Sequence, residues 1–386
     1  MSDPTAWDSP RYGAPPGWAP PPRPGLIPLR PLTFGQLLGT PFQLMRRHVA
    51  SLFGPALLIQ VLVLFASLAL VGSTTAWFAY RLAHAETSDR SAILAGGIAT
   101  VALSALIAVA LNVIGSGLLQ GLVVIAVANG TLGHKPRAGQ LWQATRGRRW
   151  ALAGFVSIVT GGLLIALLIP AGIAAAVIAP GASTGGSGAM IVVGVALAVL
   201  AGLGVAVLVA WLWAKSSLAG AAIVLERRGI RSAIARSWSL SRGAFWRVFG
   251  AQILVIGICY VATQIISTPV TLIAEFALQA AFPTGTPTAA QFQTTAAAVA
   301  GVLYVVLMIL TLIIGTVTAI IEAGTGVVVY IDQRMRREGL DLTLTRYVED
   351  AQLGRPLADP FATPAFLSPQ FAAPYPPAPG GAPDQR

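Results

Sequence analysis

Six apolar runs, residues 52–78, 93–128, 151–179, 190–225, 250–278 and 296–331, leave this chain little choice of solvent. A helix rises about 1.5 Å per residue, so about 20 such residues cross roughly 30 Å of hydrocarbon, and every run is longer than that. The expected fold class is an all-α integral membrane protein with six transmembrane helices. Charge content agrees, since 10% of the residues are charged against roughly 25% in soluble domains. The second, fourth and sixth runs are over-long. A straight helix over 93–128 would measure about 54 Å, well beyond one bilayer. Either its glycines kink it or its last turns project past the membrane.

A net charge of +11 calls for an anionic partner. The arginines abut the apolar runs, so anionic membrane lipids fit that role and nucleic acid does not. Basic residues also set orientation. The connections after runs two and four carry Lys135, Arg137, Arg146, Arg148 and Arg149, then Arg227, Arg228, Arg231, Arg236, Arg242 and Arg247. The other three connections hold Arg81 and Arg90, offset by Glu86 and Asp89. By the positive-inside rule the basic connections and both termini are cytoplasmic. Residues 1–31 lack the layout of a cleaved signal peptide, so the first run is expected to remain as a permanent span. Residues 1–28 and 351–386 read as Pro-rich disordered cytoplasmic tails around a membrane domain at 29–350. Such extended tails suit docking to protein partners.

The connections contain a repeated pattern. Trp142, Arg146, Gly147 and Trp150 correspond one for one to Trp238, Arg242, Gly243 and Trp246. A looser copy lies at the start: Gly35-Gln36-Leu37-Leu38 echoes Gly139-Gln140-Leu141-Trp142, and Phe42 with Arg46 keeps the aromatic-to-Arg spacing. Each copy precedes an odd-numbered run. The expected architecture is three helical-hairpin repeats, each a short interfacial amphipathic helix, an ordinary span, an outer turn and an over-long span. Thr33 is placed to cap the first interfacial helix, with Phe34, Leu37, Leu38, Phe42 and Met45 on one face and the helix lying in the headgroup plane. In each elbow the Gly can take the left-handed conformation that ends a helix, and an Arg just before it faces the helix carbonyls. The Trp one turn earlier lies at headgroup level, within reach of the Arg four residues on. These eight residues are read as structural anchors, with binding of a phosphate-bearing ligand or lipid headgroup as the functional alternative.

The run RSWSLSRGAFWRVFG before the fifth span and VVYIDQRMRREGLDL after the sixth resemble the glycerophosphoryl diester phosphodiesterase membrane domain family, bacterial integral membrane proteins common in actinobacteria. The resemblance covers roughly residues 28–345. It implies a multi-pass module of the bacterial plasma membrane. It does not imply phosphodiesterase activity, because the family name comes from fusions to a separate catalytic domain that these residues do not contain.

Residues for chemistry are sparse. Metal-assisted hydrolysis needs clustered carboxylates and histidines, and His48, His84 and His134 fall in separate connections. The chain has no P-loop and no HExxH, and the Gly-rich run PGASTGGSG, though it spells GxSxG at 181–185, lies at the end of an apolar run and reads as a turn. No catalytic, cofactor-binding or metal-binding residue is expected. Cys259 reads as a small packing residue, and Gln60, Asn112 and Gln264 as interhelical hydrogen-bonding residues. The remaining candidates are Gln120, Lys215 and Glu322, which fall at one level of their spans when Leu225-Glu226 is aligned with Ile331-Asp332. They would form an intramembrane polar layer. No span carries an evident break. The first functional reading is a non-enzymatic membrane protein of envelope or membrane-lipid homeostasis that recruits partners through its tails. The alternative is a transporter or lipid-handling channel, which a cavity reaching Lys215 and Glu322 would favour.

The topology has a direct test. In a Cys259→Ala background, a single cysteine at Ser239 is expected to resist an impermeant thiol reagent added outside intact cells and to react once the cells are permeabilised; labelling from outside would reverse the orientation.

Overall fold

The computed structural model describes residues 28–133, 137–183, 188–280, 289–355 and 359–362. Most of both Pro-rich tails, together with residues 134–136, 184–187 and 281–288, lie outside them. The described chain is all helical: α1 (Phe34–Ala83), α2 (Arg90–Thr131), α3 (Ala138–Ala144), α4 (Arg149–Ser183), α5 (Gly188–Ser216), α6 (Ala219–Leu225), α7 (Ile230–Ser241), α8 (Phe245–Ala280), α9 (Ala289–Glu338) and α10 (Leu340–Gln352). Six stretches are long and apolar enough to cross a membrane: Ser51–Ala83, Arg90–Thr131, Arg149–Ala176, Val192–Leu225, Phe245–Ile273 and Gly301–Glu338. Hydrocarbon offers the backbone no hydrogen bonds, so such stretches satisfy themselves as helices. Their outer faces carry exposed Leu62, Phe65, Ile165, Leu168, Val207 and Ile265, a surface suited to acyl chains. The chain is therefore a multi-pass integral membrane protein.

Consecutive spans pack along one another, α1 on α2, α4 on α5 and α8 on α9, and α1 and α2 also pack on α9. Small residues allow the closest approaches. A Cβ on Gly117 of α2 would sit 3.0 Å from the Ala153 backbone nitrogen of α4, so only glycine fits at that crossing.

The over-long spans are explained by where their ends go. From Leu122 to Ala128 every residue of α2 is buried, as are Ala219–Ile223 of α6 and Val327–Met335 of α9. A helix end apolar on all sides must be surrounded by protein. Here α2, α6 and α9 meet one another, and the start of α1 with α3, α7 and α10 packs around them. The largest cluster of buried apolar residues gathers these helix ends together with Leu37, Leu44, Leu141, Leu152, Leu240 and Leu344. The extra turns thus form a packed layer of their own beside the arginines.

Several expectations are corrected. The first interfacial helix and first span are one continuous helix of 50 residues with Pro41 and Pro55 inside it. At the position of Gly147 this copy has Gln43 or Arg47, depending on the alignment, so no left-handed glycine stops the helix. Thr33 does cap it, exchanging hydrogen bonds with Gln36. Its inward side is Leu37, Thr40, Pro41 and Leu44, with Leu38, Phe42 and Met45 half-buried and Phe34 exposed. The segment is docked on the other helices rather than lying free. The fourth span is interrupted at Ser217-Leu218 between α5 and α6. Ser216 and Ser217 return their hydroxyls to the carbonyls of Leu212 and Ala214, a local competition that bends helices. Finally, the boundary at 350 is too early. The α10 helix reaches Gln352, and Phe361 returns to the bundle with 5% exposure, because an aromatic ring in a polar tail gains by entering an apolar site.

Candidate functional site

Two carboxylates organise the arginine-rich end. Asp332, fully buried near the end of α9, accepts the Leu32 amide at 2.9 Å, Arg247 Nε at 3.0 Å and Arg336 Nε at 3.1 Å. The same two arginines donate to the Leu32 carbonyl at 2.7 and 2.6 Å. Both backbone groups of Leu32 are therefore held by one carboxylate and its arginines. This fastens the segment before α1 to α8 and α9.

Glu226, directly after α6, has a fully buried side chain. It accepts from the Tyr330 hydroxyl, from Arg228 and from Arg236 Nε at 3.0 Å, with Arg334 Nε at 3.7 Å. Glu338 pairs with Arg236 and with Arg334, the latter at 3.0 Å. Arg334, 1% exposed, also donates to the Phe361 carbonyl at 2.9 Å. The network thus ties α6, α7, α9 and the C-terminal segment together. Burial by itself would raise the Glu226 carboxyl, but the Tyr330 hydroxyl and the guanidinium groups of Arg334, Arg228 and Arg236 outweigh it and hold the carboxyl below its usual range. Removing one partner of a buried ion pair leaves the other charge uncompensated, at a cost of about 3–5 kcal/mol.

Both elbows turn on a left-handed glycine, Gly147 at φ 82° and Gly243 at φ 69°, as the spacing predicts. The arginine partners differ from expectation. In the first elbow Arg149, not Arg146, lies over the Trp142 ring at 4.0 Å and donates to the Trp142 carbonyl. In the second, Arg337 of α9 donates to the carbonyls of Ser239 and Arg242, and Trp238 packs edge-on against Trp211. Any guanidinium that reaches the orphaned carbonyls can cap them, and sequence adjacency did not decide which. Trp150 and Trp246 are about four-fifths exposed, at 80% and 78%, as rings facing lipid would be.

Between the spans is a cavity of about 880 Å³ lined mainly by α1, α2 and α9. Gln60, Asn112, Gln120 and Glu322 interrupt its apolar wall. Gln60 accepts from Thr316 at 3.2 Å and links α1 to α9. Asn112 donates to Ala108 of its own helix instead of crossing to a neighbour, and Gln264 is exposed. Two buried atoms on the wall, Gln120 Oε1 and Ser67 Oγ, have no hydrogen-bond partner. Of the polar layer, Gln120 and Glu322 share this cavity, whereas Lys215 is outside its lining and pairs with no carboxylate among the described residues. Cys259 is buried beside Val255 and Ile321. Among the described residues no group of His, Cys, Asp or Glu is arranged to hold a metal ion.

Sequence reasoning missed the buried network. Its signal was the pair of carboxylates, Glu226 and Asp332, that directly follow the fourth and sixth runs in otherwise basic surroundings. A family model described as a domain of unknown function, DUF7847, matches residues 55–330. No curated protein and no solved structure matches the chain.

The depressed Glu226 carboxyl fixes a pH dependence. A carboxyl held below its usual value of 4.5 contributes stability above that value and loses it as pH falls through the folded-state value. Thermal unfolding of the purified protein is expected to be level from about pH 7 to about pH 5 and to drop below about pH 4.5. Glu226→Gln should lower stability at neutral pH and flatten part of the acid decline; an unchanged acid limb would contradict the assignment.

Proposed function

The chain belongs to the DUF7847 family, and on that premise we propose that it is a non-enzymatic, lipid-handling protein of the bacterial plasma membrane that holds an amphiphile in its intramembrane cavity. The observation that carries this reading is the cavity wall. Its apolar stretches suit acyl chains, while the Glu322 carboxylate and the unpartnered Gln120 Oε1 and Ser67 Oγ offer acceptors at depth. Buried polar atoms without partners are rare, and a bound group would satisfy them. Ionisable residues inside membranes are expensive and cluster at functional sites. The ligand class is an amphiphile whose polar part donates hydrogen bonds, through hydroxyl or ammonium groups.

The resemblance of residues 28–345 to the glycerophosphoryl diester phosphodiesterase membrane domain family supports a role in membrane-lipid homeostasis. The arginines gathered at one end support a cytoplasmic orientation of that end and of both termini. The Pro-rich tails would then recruit protein partners on the cytoplasmic side. Transport of the amphiphile is a second reading, favoured by the interruption of the fourth span at Ser217-Leu218, since broken helices line the sites of many transporters.

Native mass spectrometry of protein extracted with its lipids is expected to show a retained amphiphile that is lost in Gln120→Leu and Glu322→Leu while thermal stability stays near wild type. Equal occupancy in wild type and both variants would overturn the cavity as the binding site.

A further inference from the structure

A second cavity, of about 900 Å³, opens at the arginine-rich end between the first elbow, the link from α6 to α7, and the C-terminal segment. Arg146 and Arg148 line it from the turn around Gly147, Arg227 from the link, Tyr347 from α10, and Asp359 and Phe361 from the returning segment. We propose that this pocket is a binding site for a phosphate-bearing ligand, held by the guanidinium groups of Arg146, Arg148 and Arg227.

The first ground is charge that no carboxylate among the described residues neutralises. Arg228, Arg236, Arg247, Arg334 and Arg336 each pair with a carboxylate. Arg146, Arg148 and Arg227 have no ion pair and no side-chain hydrogen bond among the described residues. The sequence explains the difference. Between Asp89 and Glu226 there is no acidic residue at all. Where the fourth and sixth spans end in Glu226 and Asp332, the second ends in Asn129-Gly130-Thr131, so the first elbow lacks the carboxylate that occupies the arginines of the second. Asp359, the carboxylate on the pocket wall, accepts the Phe361 amide at 3.0 Å and makes no ion pair with the three arginines.

The second ground is the backbone. Arg227 has φ 54°, a left-handed conformation uncommon for a residue with a side chain. This turn gives two consecutive arginines different uses: Arg228 reaches Glu226, while Arg227 lines the pocket. Strain of this kind persists where surrounding structure over-determines it, often at ligand sites. Converging guanidinium groups bind phosphate oxygens in short, charge-assisted hydrogen bonds. The third ground is position. Trp142 and Trp150 of the same elbow are exposed, as rings at headgroup depth are, so a lipid phosphate can reach the site, and so can a free one from solution. Phe361, buried beneath and tied to Arg334 through its carbonyl, closes the floor with the C-terminal segment.

The test uses the full-length protein in phosphatidylcholine nanodiscs, with two probes: dioleoylphosphatidylglycerol doped into the disc and followed by native mass spectrometry, and inorganic pyrophosphate followed by calorimetry. The variant Arg146→Gln/Arg148→Gln/Arg227→Gln is compared with Arg46→Gln/Arg231→Gln/Arg346→Gln, which removes equal charge from exposed positions outside the pocket. Binding of either probe should fall roughly a hundredfold in the pocket variant and less than about threefold in the control. Loss for the lipid identifies a headgroup site, and loss for pyrophosphate a site for a soluble phosphate compound. Single variants Arg146→Gln and Arg148→Gln, each expected to lose roughly tenfold, keep the test intact if the triple variant does not fold. Binding of neither probe to wild type, or equal losses in pocket and control variants, would overturn the proposal.

Discussion

The structure depends on two buried carboxylates, Glu226 and Asp332, that draw arginines from separate parts of the chain onto the ends of α6 and α9. Asp332 joins the segment before α1 to α8 through Arg247 and to its own helix through Arg336. Glu226 joins α7 and α9 through Arg236, Tyr330 and Arg334. Each carboxylate is costly to bury alone, and each arginine would repel its neighbours without it. Together they let a strongly basic chain pack its most charged segments against one another. Replacing such pairs by apolar residues is often tolerated elsewhere, so their use here is best understood as specifying which elbow docks on which helix end.

That closure divides the molecule into two layers. At the arginine-rich end, α2, α6 and α9 are enclosed by α3, α7, α10 and the start of α1, and the apolar residues there are close to fully buried. Between the spans, mainly α1, α2 and α9 leave a cavity carrying Glu322 and Gln120. Arg146 and Arg148 of the first elbow, with Arg227 of the link from α6 to α7, line a pocket of their own and pair with no carboxylate among the described residues.

The fold class was legible because run length and charge depletion decide it almost alone. The over-long second run could be noticed from its length, and the end of its excess turns in a packed layer is the consequence of residues such as Val123, Val124 and Val127 being apolar on every side. The glycine turns of both elbows were also legible, since Gly147 and Gly243 carry out a conformation that other residues adopt poorly. Pairings were not. Within the first elbow Arg149 and Arg146 are both within reach of Trp142 in sequence and Arg149 takes the ring, while the end of α7 is capped from far along the chain, Arg337 reaching Ser239 across 98 residues. The cavity was half legible. Gln120 and Glu322 share it, but Lys215 does not: the α5 end lines the cavity through Trp213, and a residue two positions on lies about 200° round the helix. Phe361 was hidden by its surroundings, as one apolar ring in a Pro-rich stretch carries no periodicity.

The most direct measurement is a double-mutant cycle on Asp332→Asn and Arg247→Gln, with unfolding free energies taken from reversible denaturant titration in bicelles. If the carboxylate clamp holds the elbows to the helix ends, the two substitutions should be strongly non-additive, with a coupling above about 1 kcal/mol. Additive effects, with coupling near zero, would mean that packing alone closes the arginine-rich end and that the clamp is incidental to it.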